Sequence, residues 1–250
     1  MIGRLFVSLG QYAYFVWDFG RAVLRHGVPW RLVLEEAYAI GIRSLPILLI
    51  IAGFVGTNLS LQGYLAFKPL GGSRLVGMFV SLAGVRELAP IIAAAMVAAK
   101  AGTEMASQIG VMRIREQIDA LEVMAVNPLA FIIAPRLLGI MLVLPALTLI
   151  SIFMMVGAGL FVAVVQLGVP AAAFMELAAQ GVRPVDFLYG EIKALIFGLI
   201  ICTVSCWFGF TCERGPEGVG RATNQAVVTS AVTCVALNYF LSEVMYGGAH

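Results

Sequence analysis

Five apolar stretches divide this chain, and each is long enough, or nearly so, to cross the hydrocarbon core of a bilayer. They run over residues 44–67, 75–99, 137–175, 194–212 and 222–242. A membrane-spanning helix needs about 20 mostly apolar residues at a rise of ~1.5 Å per residue. Because length rather than alternation marks these stretches, they predict helices and not barrel strands. The third stretch is too long for one span, and we expect it to break at Gly168-Val169-Pro170.

The composition agrees with this prediction. Of the 250 residues, 61% are hydrophobic and only 12% are charged. A soluble domain is closer to half apolar and a quarter charged, so this chain has too little polar surface to face water. We therefore predict an all-α polytopic membrane protein that forms a single domain over residues 1–250. Within it, residues 1–40 form an N-terminal interfacial region and residues 41–250 form the transmembrane bundle.

The N-terminal segment carries an amphipathic pattern. Apolar residues recur there at spacings of four, three, four and three: Leu5, Leu9, Tyr12, Val16 and Phe19. This pattern predicts a helix that lies in the membrane interface, although a short disordered leader is the alternative. Charged residues follow the apolar run without a small-residue cleavage pattern, so we expect no cleavable signal peptide.

The basic residues predict the orientation of the chain. Eleven Lys and Arg residues precede the first apolar stretch or lie in the second–third and fourth–fifth loops, whereas the opposite loops hold three, Lys68, Arg74 and Arg183. Cytoplasmic loops are enriched in Lys and Arg. We therefore expect the N-terminus in the cytoplasm and the C-terminal His250 on the other side of the membrane.

Charged residues interrupt the apolar stretches. Arg86 and Glu87 lie near the middle of the second stretch and Lys193 near the start of the fourth. Each charge at mid-bilayer costs about 2.5–3.5 kcal/mol, so such residues normally face a partner or a wet cavity. Lys193 is the expected partner of Glu87, either as an ion pair that fixes helix register or as part of a site. We expect the Arg86 guanidinium to be left over inside a cavity, where it would bind an anionic head group such as phosphate. Lys100 and Glu104, one turn apart, are expected to pair locally.

The most polar segment, residues 110–127, lies between the second and third apolar stretches. Ile114, Ile118, Leu121 and Ala125 fall at helical spacing within it, and charges of both signs fill the other positions. Pro128 ends the predicted helix, because the residue before proline resists helical dihedral angles. The segment is either a docking helix for another protein or an ordinary solvated loop helix.

Several chemical signatures are absent from the sequence. It contains no GxxxxGK[ST] phosphate loop, so the chain cannot hydrolyse ATP alone, and no Ser/His/Asp or Cys/His set for catalysis. The cysteines at 202, 206, 212 and 234 are remote from the histidines at 26 and 250, and we expect them to be small buried residues. These absences favour a permease driven by a separate ATPase. The alternatives are an ion-coupled carrier or channel that uses Arg86, Glu87 and Lys193 as a relay, and a non-transporting scaffold.

Several sequence blocks resemble those of a known family. They are Arg86-Glu87-Leu88-Ala89-Pro90, the run from Glu116 to Met124 (EQIDALEVM) with Asn127-Pro128 and Pro135-Arg136, Leu61-Gln62-Gly63-Tyr64, and Gly218 to Thr223 (GVGRAT). Taken together, and ordered by residue number along the chain, they resemble the MlaE (YrbE) family of ABC-transporter permeases. The resemblance runs from about residue 40 to the C-terminus. Many members have Arg where this chain has Lys100 and Glu where it has Gln108.

The resemblance implies a homodimeric permease of a bacterial inner membrane, with an interfacial helix, five spans and a cytoplasmic coupling helix near 113–124. Its substrate would be phospholipid or a related lipid, moved to or from the outer membrane to maintain lipid asymmetry. Cytoplasmic ATPase subunits would bind ATP and Mg²⁺, and a periplasmic MCE-domain protein would relay the lipid. No cofactor, metal, catalytic residue or nucleic-acid partner is expected for this chain itself. The implied substrate-binding residues are Arg86, Glu87, Leu59, Tyr64 and Lys193. The implied ATPase-coupling residues are Arg113, Arg115, Glu116, Gln117, Asp119, Leu121 and Glu122.

Overall fold

The computed structural model describes residues 2–25 and 30–247, with side chains for residues 10–21 and 30–247. The described residues form ten α-helices and no strand. The α-helices are α1 (Ile2–Arg25), α2 (Trp30–Phe67), α3 (Val76–Ala83), α4 (Ala89–Val97), α5 (Thr103–Ile114), α6 (Gln117–Val123), α7 (Ala134–Val165), α8 (Ala171–Gly181), α9 (Pro184–Thr211) and α10 (Pro216–Tyr246). Short 3₁₀ turns lie at Lys68–Leu70 and Ser73–Leu75.

Five helical stretches of the described chain are long and apolar enough to cross a membrane. They are Trp30–Leu70, Ser73–Ile114, Leu129–Val165, Pro184–Thr211 and Pro216–Tyr246. The prediction of an all-α polytopic membrane protein is therefore confirmed. Each helical stretch extends beyond the apolar run that predicted it at one end or both, because charged residues near helix ends can continue a helix. In α2, for example, Arg31 Nε pairs with Glu35 Oε1 one turn later at 2.9 Å.

The predicted break of the third apolar stretch is also confirmed. Helix α7 ends at Val165, and the short helix α8 begins at Ala171. Gly168 between them has a φ of 68°, a left-handed conformation that glycine adopts without a steric penalty. The proline at 170 precedes the first residue of α8 and leads the chain into that helix.

Two π-helical segments interrupt the second span, at Gly84–Leu88 and at Ala98–Gly102. In the first of them, the backbone N–H of Ala89 donates to the carbonyl of Gly84, five residues earlier. A π-segment of this kind inserts one extra residue into a turn and often occurs at functional sites. A third π-segment, Leu129–Ile133, leads into α7.

The chain contains two compact units, and each draws on several separate segments. The first unit holds Met1–Ile40, Val97–Val143 and Gly198–Thr233, and the second holds Gly41–Met96, Leu144–Phe197 and Cys234–His250. The assignment of residues 1–250 to one domain, with a boundary near residue 40, stays a prediction.

In the first unit, α1 packs through one face. Tyr12 Oη is 2.7 Å from Thr203 Oγ1, and the ring of Phe15 lies 5.3 Å from that of Trp207. Phe19 on the same face is buried, while Tyr14 and Trp17 on the other face are more than 70% exposed. An amphipathic helix is thus present as predicted, whereas the side chains of Leu5 and Leu9 lie outside the described residues.

The second unit is held together by close helix contacts at glycine. A Cβ at Gly56 in α2 would collide with the backbone carbonyl of Met155 in α7, and a Cβ at Gly77 in α3 would collide with that of Phe174 in α8. Small residues allow membrane helices to approach this closely and gain van der Waals contact. Ser81 Oγ also donates to the carbonyl of Ala178 at 3.0 Å, which joins α3 to α8.

Candidate functional site

The π-segment Gly84–Leu88 carries the charges that interrupt the second span, and they join a larger group of polar side chains in the second unit. We call this group the membrane cluster. Its members are Arg86, Glu87, Asp186, Lys193, Asn238, Ser242 and Tyr246.

Lys193 lies at the centre of the membrane cluster, and none of its side-chain surface is exposed. Its Nζ donates to the carbonyl of Arg86 at 2.8 Å, to Ser242 Oγ at 2.7 Å and to Glu87 Oε1 at 3.2 Å. An ammonium has three protons, so every donor of Lys193 is used. Lys193 is therefore the partner of Glu87, as expected, and it also donates to the Arg86 carbonyl and to Ser242.

Glu87 is satisfied on one side and open on the other. Besides Lys193, it accepts hydrogen bonds from Ser242 Oγ at Oε1 and from Asn238 Nδ2 at Oε2, both at 2.6 Å. Its side chain nevertheless stays 39% exposed. The carboxylate is thus held in place by three donors while part of it faces outward from the unit.

The expectation that the Arg86 guanidinium would be left over is wrong. Arg86 Nη2 lies 3.0 Å from Asp186 Oδ1, and the guanidinium carbon lies 4.7 Å from the ring centre of Tyr246. Arg86 Nε is buried without a hydrogen-bond partner. Asp186 was not predicted from the sequence because it lies in the first turn of α9, before the apolar stretch that predicted the fourth span.

Two helical spacings could have identified the missed members of the membrane cluster. Asp186 and Lys193 are seven residues apart and share one face of α9. Asn238, Ser242 and Tyr246 follow one another at intervals of four and form a polar stripe along the end of α10. A polar stripe on one face of a membrane helix indicates that this face meets polar groups of other helices.

Leu59 and Tyr64 lie in a different environment. Both are partly buried and pack against an apolar cluster of α3, α7 and α8, which includes Val76, Val80 and Phe174. Lys68 lies over the Tyr64 ring at 5.3 Å. The predicted contact of Leu59 and Tyr64 with acyl chains stays a prediction.

The predicted continuous helix over residues 113–124 is wrong in its geometry. Helix α5 ends at Ile114 and α6 begins at Gln117, so Arg113 belongs to the end of the second span. Glu116 between them has a φ of 57°, and Ala125 just after α6 has a φ of 58°. Left-handed residues other than glycine are uncommon, and here they redirect the chain on each side of a seven-residue helix.

The predicted apolar stripe of this segment is not buried as a unit. Of Ile114, Ile118, Leu121 and Ala125, only Ile118 is buried. The most exposed large apolar residues of the segment are Val123 and Met124, at 88% and 63% exposure. The difference follows from the turn at Arg115 and Glu116, which breaks the helical phase that the stripe assumed. The predicted coupling residues Gln117, Asp119 and Glu122 are exposed on α6, together with Arg115 and Glu116 in the turn.

A second polar group occupies the first unit, and we call it the helix-end cluster: Glu36, Glu104, Gln108 and Arg136. Arg136 Nη2 donates to Gln108 Oε1 at 2.7 Å, and Arg136 Nε pairs with Glu36 Oε1 at 3.4 Å. Gln108 Nε2 in turn donates to Glu104 Oε1 at 3.1 Å. Lys100 lies in the π-segment Ala98–Gly102, and its expected pair with Glu104 stays a prediction.

The four cysteines are buried, as expected. Among the described residues, no group of three or more His, Cys, Asp or Glu side chains could hold a metal ion. The histidines at 26 and 250 lie outside those residues. Burial raises the pKa of the Cys212 thiol above its ordinary value.

Comparison with known proteins gives a consistent set of matches. The family model for the MlaE permease matches residues 33–244. A probable ABC transporter permease protein of Rickettsia conorii is 33% identical over 239 residues, which are 96% of this chain and 92% of that protein. The intermembrane phospholipid transport system permease protein MlaE of Haemophilus influenzae is 31% identical over 245 residues, 97% of this chain and 93% of its own length. The chloroplastic TRIGALACTOSYLDIACYLGLYCEROL 1 of Arabidopsis thaliana is 33% identical over 227 residues, 91% of this chain and 65% of that protein.

Proposed function

Because this chain belongs to the MlaE permease family, we propose that it is the membrane subunit of an ATP-driven ABC transporter in a bacterial inner membrane. The transporter moves phospholipid or a related lipid between that membrane and the periplasm or outer membrane, and so maintains outer-membrane lipid asymmetry. The observation that carries this proposal, beyond family membership, is the membrane cluster. A passive anchor has no need for two acids and two bases held within its membrane helices.

In this proposal the membrane cluster divides into a holding part and a binding part. Lys193 has no free donor, so its role is to hold Glu87 and the Arg86 backbone in place. Arg86, at 24% side-chain exposure, and Glu87 are the members that a lipid head group can reach. Arg86 binds the phosphate, because a guanidinium offers several donors to phosphate oxygens. Leu59 and Tyr64 contact the acyl chains.

The energy source is a separate ATPase that binds ATP and Mg²⁺, and α6 with its flanking turns is the coupling helix. Charged side chains are exposed on and before α6 beside the apolar Val123 and Met124. A short exposed segment with both kinds of side chain suits a protein partner that buries the apolar residues and pairs with the charges. The coupling residues are Arg113, Arg115, Glu116, Gln117, Asp119, Leu121 and Glu122.

The remaining partners are a second copy of the chain and a periplasmic MCE-domain protein. Helix α10 is the least buried of the five spans, and Val228, Val232, Val235 and Tyr239 are each more than half exposed along one face. This face supports contact with a second copy in a homodimer. The distribution of basic residues supports a cytoplasmic N-terminus and a periplasmic C-terminus, although residue 250 lies outside the described part of the chain.

The coupling assignment can be tested by charge reversal on α6. Reconstitute the chain with its ATPase in vesicles, and measure transfer of fluorescent phospholipid to acceptor vesicles with and without ATP. Asp119→Lys together with Glu122→Lys should abolish ATP-driven transfer and copurification of the ATPase. Glu176→Lys, an equally exposed acid on α8, is the control and should leave both unchanged. Retention of both by the α6 variant would refute the coupling role.

A second measurement separates the lipid transporter from the ion-coupled carrier. The ATP-driven transporter should transfer lipid in the absence of any proton or sodium gradient, and Arg86→Gln should reduce that transfer in protein that gel filtration shows to be folded. Transfer that follows an ion gradient and ignores ATP would favour the carrier. Normal transfer by Arg86→Gln would remove Arg86 from the binding site.

A further inference from the structure

Arg86 already holds an anion that belongs to the protein itself. Its Nη2 is 3.0 Å from Asp186 Oδ1, and the Asp186 side chain is only 2% exposed. The ring of Tyr246 covers the guanidinium at 4.7 Å. One terminal nitrogen of the guanidinium is therefore paired with a carboxylate, and one face is covered by an aromatic ring. A phosphate that binds through this part of the guanidinium has to replace one of the two contacts.

Asp186 is fixed more firmly than Arg86. The other carboxylate oxygen of Asp186, Oδ2, accepts the backbone N–H of Arg183 at 2.8 Å. The backbone N–H of Asp186 donates to the carbonyl of Arg183 at 2.9 Å, which closes the first turn of α9. Asp186 therefore keeps its helix-capping contacts when Oδ1 loses its partner. The long Arg86 side chain, which is partly exposed, is the member of the pair that moves.

The free donor of Arg86 points to the same exchange. Its Nε is buried without a hydrogen-bond partner, so the pair with Asp186 leaves part of the guanidinium unsatisfied. A phosphate group can accept hydrogen bonds from Nε and from a terminal nitrogen together. When the Arg86 side chain turns away from Asp186 towards a phosphate, it exchanges a carboxylate for a phosphate. The phosphate accepts hydrogen bonds from more of the guanidinium donors.

On the premise of the proposed function, we propose that Asp186 is an internal competitor for Arg86. It neutralises the guanidinium when the site is empty, and the phosphate of the lipid head group displaces it. Asp186 thereby weakens the hold on the lipid and shortens its residence time. It is a positioning residue that sets how long Arg86 retains a lipid, and it does not itself touch the lipid.

The test removes the charge and keeps the helix cap. Asp186→Asn retains an oxygen for the Arg183 N–H but no longer competes for Arg86. In nanodiscs of equal parts phosphatidylglycerol and phosphatidylcholine, release of fluorescent phosphatidylglycerol from the Asp186→Asn chain should be about tenfold slower than from the unaltered chain, because loss of a competing charge acts mainly on the dissociation rate. Glu176→Gln, at an exposed acid on α8, should leave release unchanged.

The double variant shows whether the effect passes through Arg86. Arg86→Gln should release the lipid faster than the unaltered chain, and adding Asp186→Asn to it should bring no slowing. Should Asp186→Asn not fold, as judged by gel filtration and thermal unfolding, Asp186→Ser also keeps a capping oxygen and should slow release in the same way. Unchanged or faster release by the folded Asp186 variant, or slowing that persists without Arg86, would overturn the proposal.

Two further arms identify the ligand and separate this proposal from the function on which it rests. An excess of inorganic phosphate should not speed lipid release; if it does, the site binds free phosphate and the lipid assignment is wrong. Failure of the unaltered chain and its ATPase to transfer lipid with ATP would contradict the proposed function. Normal transfer by the unaltered chain with no effect of Asp186→Asn on release would contradict only the competition.

Discussion

The membrane cluster and the helix-end cluster each surround one buried cation, but they satisfy it differently. Lys193 donates all three of its protons at distances between 2.7 and 3.2 Å. Arg136 makes one short hydrogen bond at 2.7 Å and one long ion pair at 3.4 Å, and its Nη1 is buried without a partner. Lys193 is thus surrounded by a full set of acceptors, whereas the Arg136 guanidinium near the ends of helices has an incomplete set.

The reason lies in the cost of removing a charge from water. The penalty for an unpaired ion rises with burial and falls where water can approach. Lys193 has no exposed side-chain surface, whereas 9% of the Arg136 side chain is exposed. We therefore expect the stability of the chain to depend more on Lys193 than on Arg136, and four substitutions test this order.

The largest effect is expected at Lys193. Lys193→Met removes the cation and leaves Glu87 without its ion-pair partner. Breaking a fully buried pair in this way costs about 3–5 kcal/mol, which is the upper limit here because Glu87 is partly exposed. Reversible unfolding in detergent, followed by circular dichroism, measures the loss. Lys68→Met, at an exposed lysine in the loop after α2, is the matched control and should change little. A loss below about 1 kcal/mol would mean that the full set of bonds does not stabilise the fold.

A smaller effect is expected at Arg136. Arg136→Met leaves the Gln108 oxygen and the partly exposed Glu36 without their donor, which should cost about 1–3 kcal/mol. The same unfolding measurement applies. A loss as large as that for Lys193→Met would break the comparison, because it would show that an incomplete set of partners stabilises as much as a complete one.

The contribution of Gln108 should be smaller again. Gln108→Leu removes an acceptor from Arg136 and a donor from Glu104, and each net hydrogen bond is worth about 1 kcal/mol. If Gln108→Leu unfolds at the same denaturant concentration as the unaltered chain, the 2.7 Å bond between Gln108 and Arg136 contributes nothing measurable.

The smallest effect is expected at Arg221. Its side chain is 65% exposed and reaches Glu213 and Glu217 only at 3.6 Å. Exposed pairs contribute about 0–1 kcal/mol, so Arg221→Ala should be close to neutral. Raising the salt concentration should leave this result unchanged, because there is little attraction to screen. A loss comparable to that of Arg136→Met would show that exposure does not set the order.

Local patterns explain what could be predicted from the sequence. The spans follow from apolar length, and the end of α7 follows from the glycine and proline at 168 and 170. The pair of Glu87 with Lys193 was predictable because each charge had to find a partner inside the membrane, and few charges were available there. These inferences need only composition and the properties of single residues.

Other features depend on tertiary geometry and could not be predicted from local sequence patterns. The π-segment at Gly84–Leu88 has no distinct composition, yet it determines where Arg86 and Glu87 point. The turn at Glu116 depends on a left-handed residue that is not glycine, so the sequence predicted one helix where there are two. Asp186 belongs to the membrane cluster only because the start of α9 packs near the π-segment. The spacing of Asp186 and Lys193 places them on one face of α9, but it does not show that Asp186 contacts Arg86.

The extra residue of the π-segment has a consequence for insertions and deletions in this span. Each residue of an α-helix turns the chain by about 100°. Deleting one residue between Gly84 and Leu88 would restore the regular hydrogen-bond pattern of an α-helix. Here it would rotate α3 against α4 by more than a quarter of a turn, and Arg86 and Glu87 could no longer face Asp186 and Lys193 together. The deletion would therefore make the helix more regular but turn Arg86 and Glu87 towards the lipid.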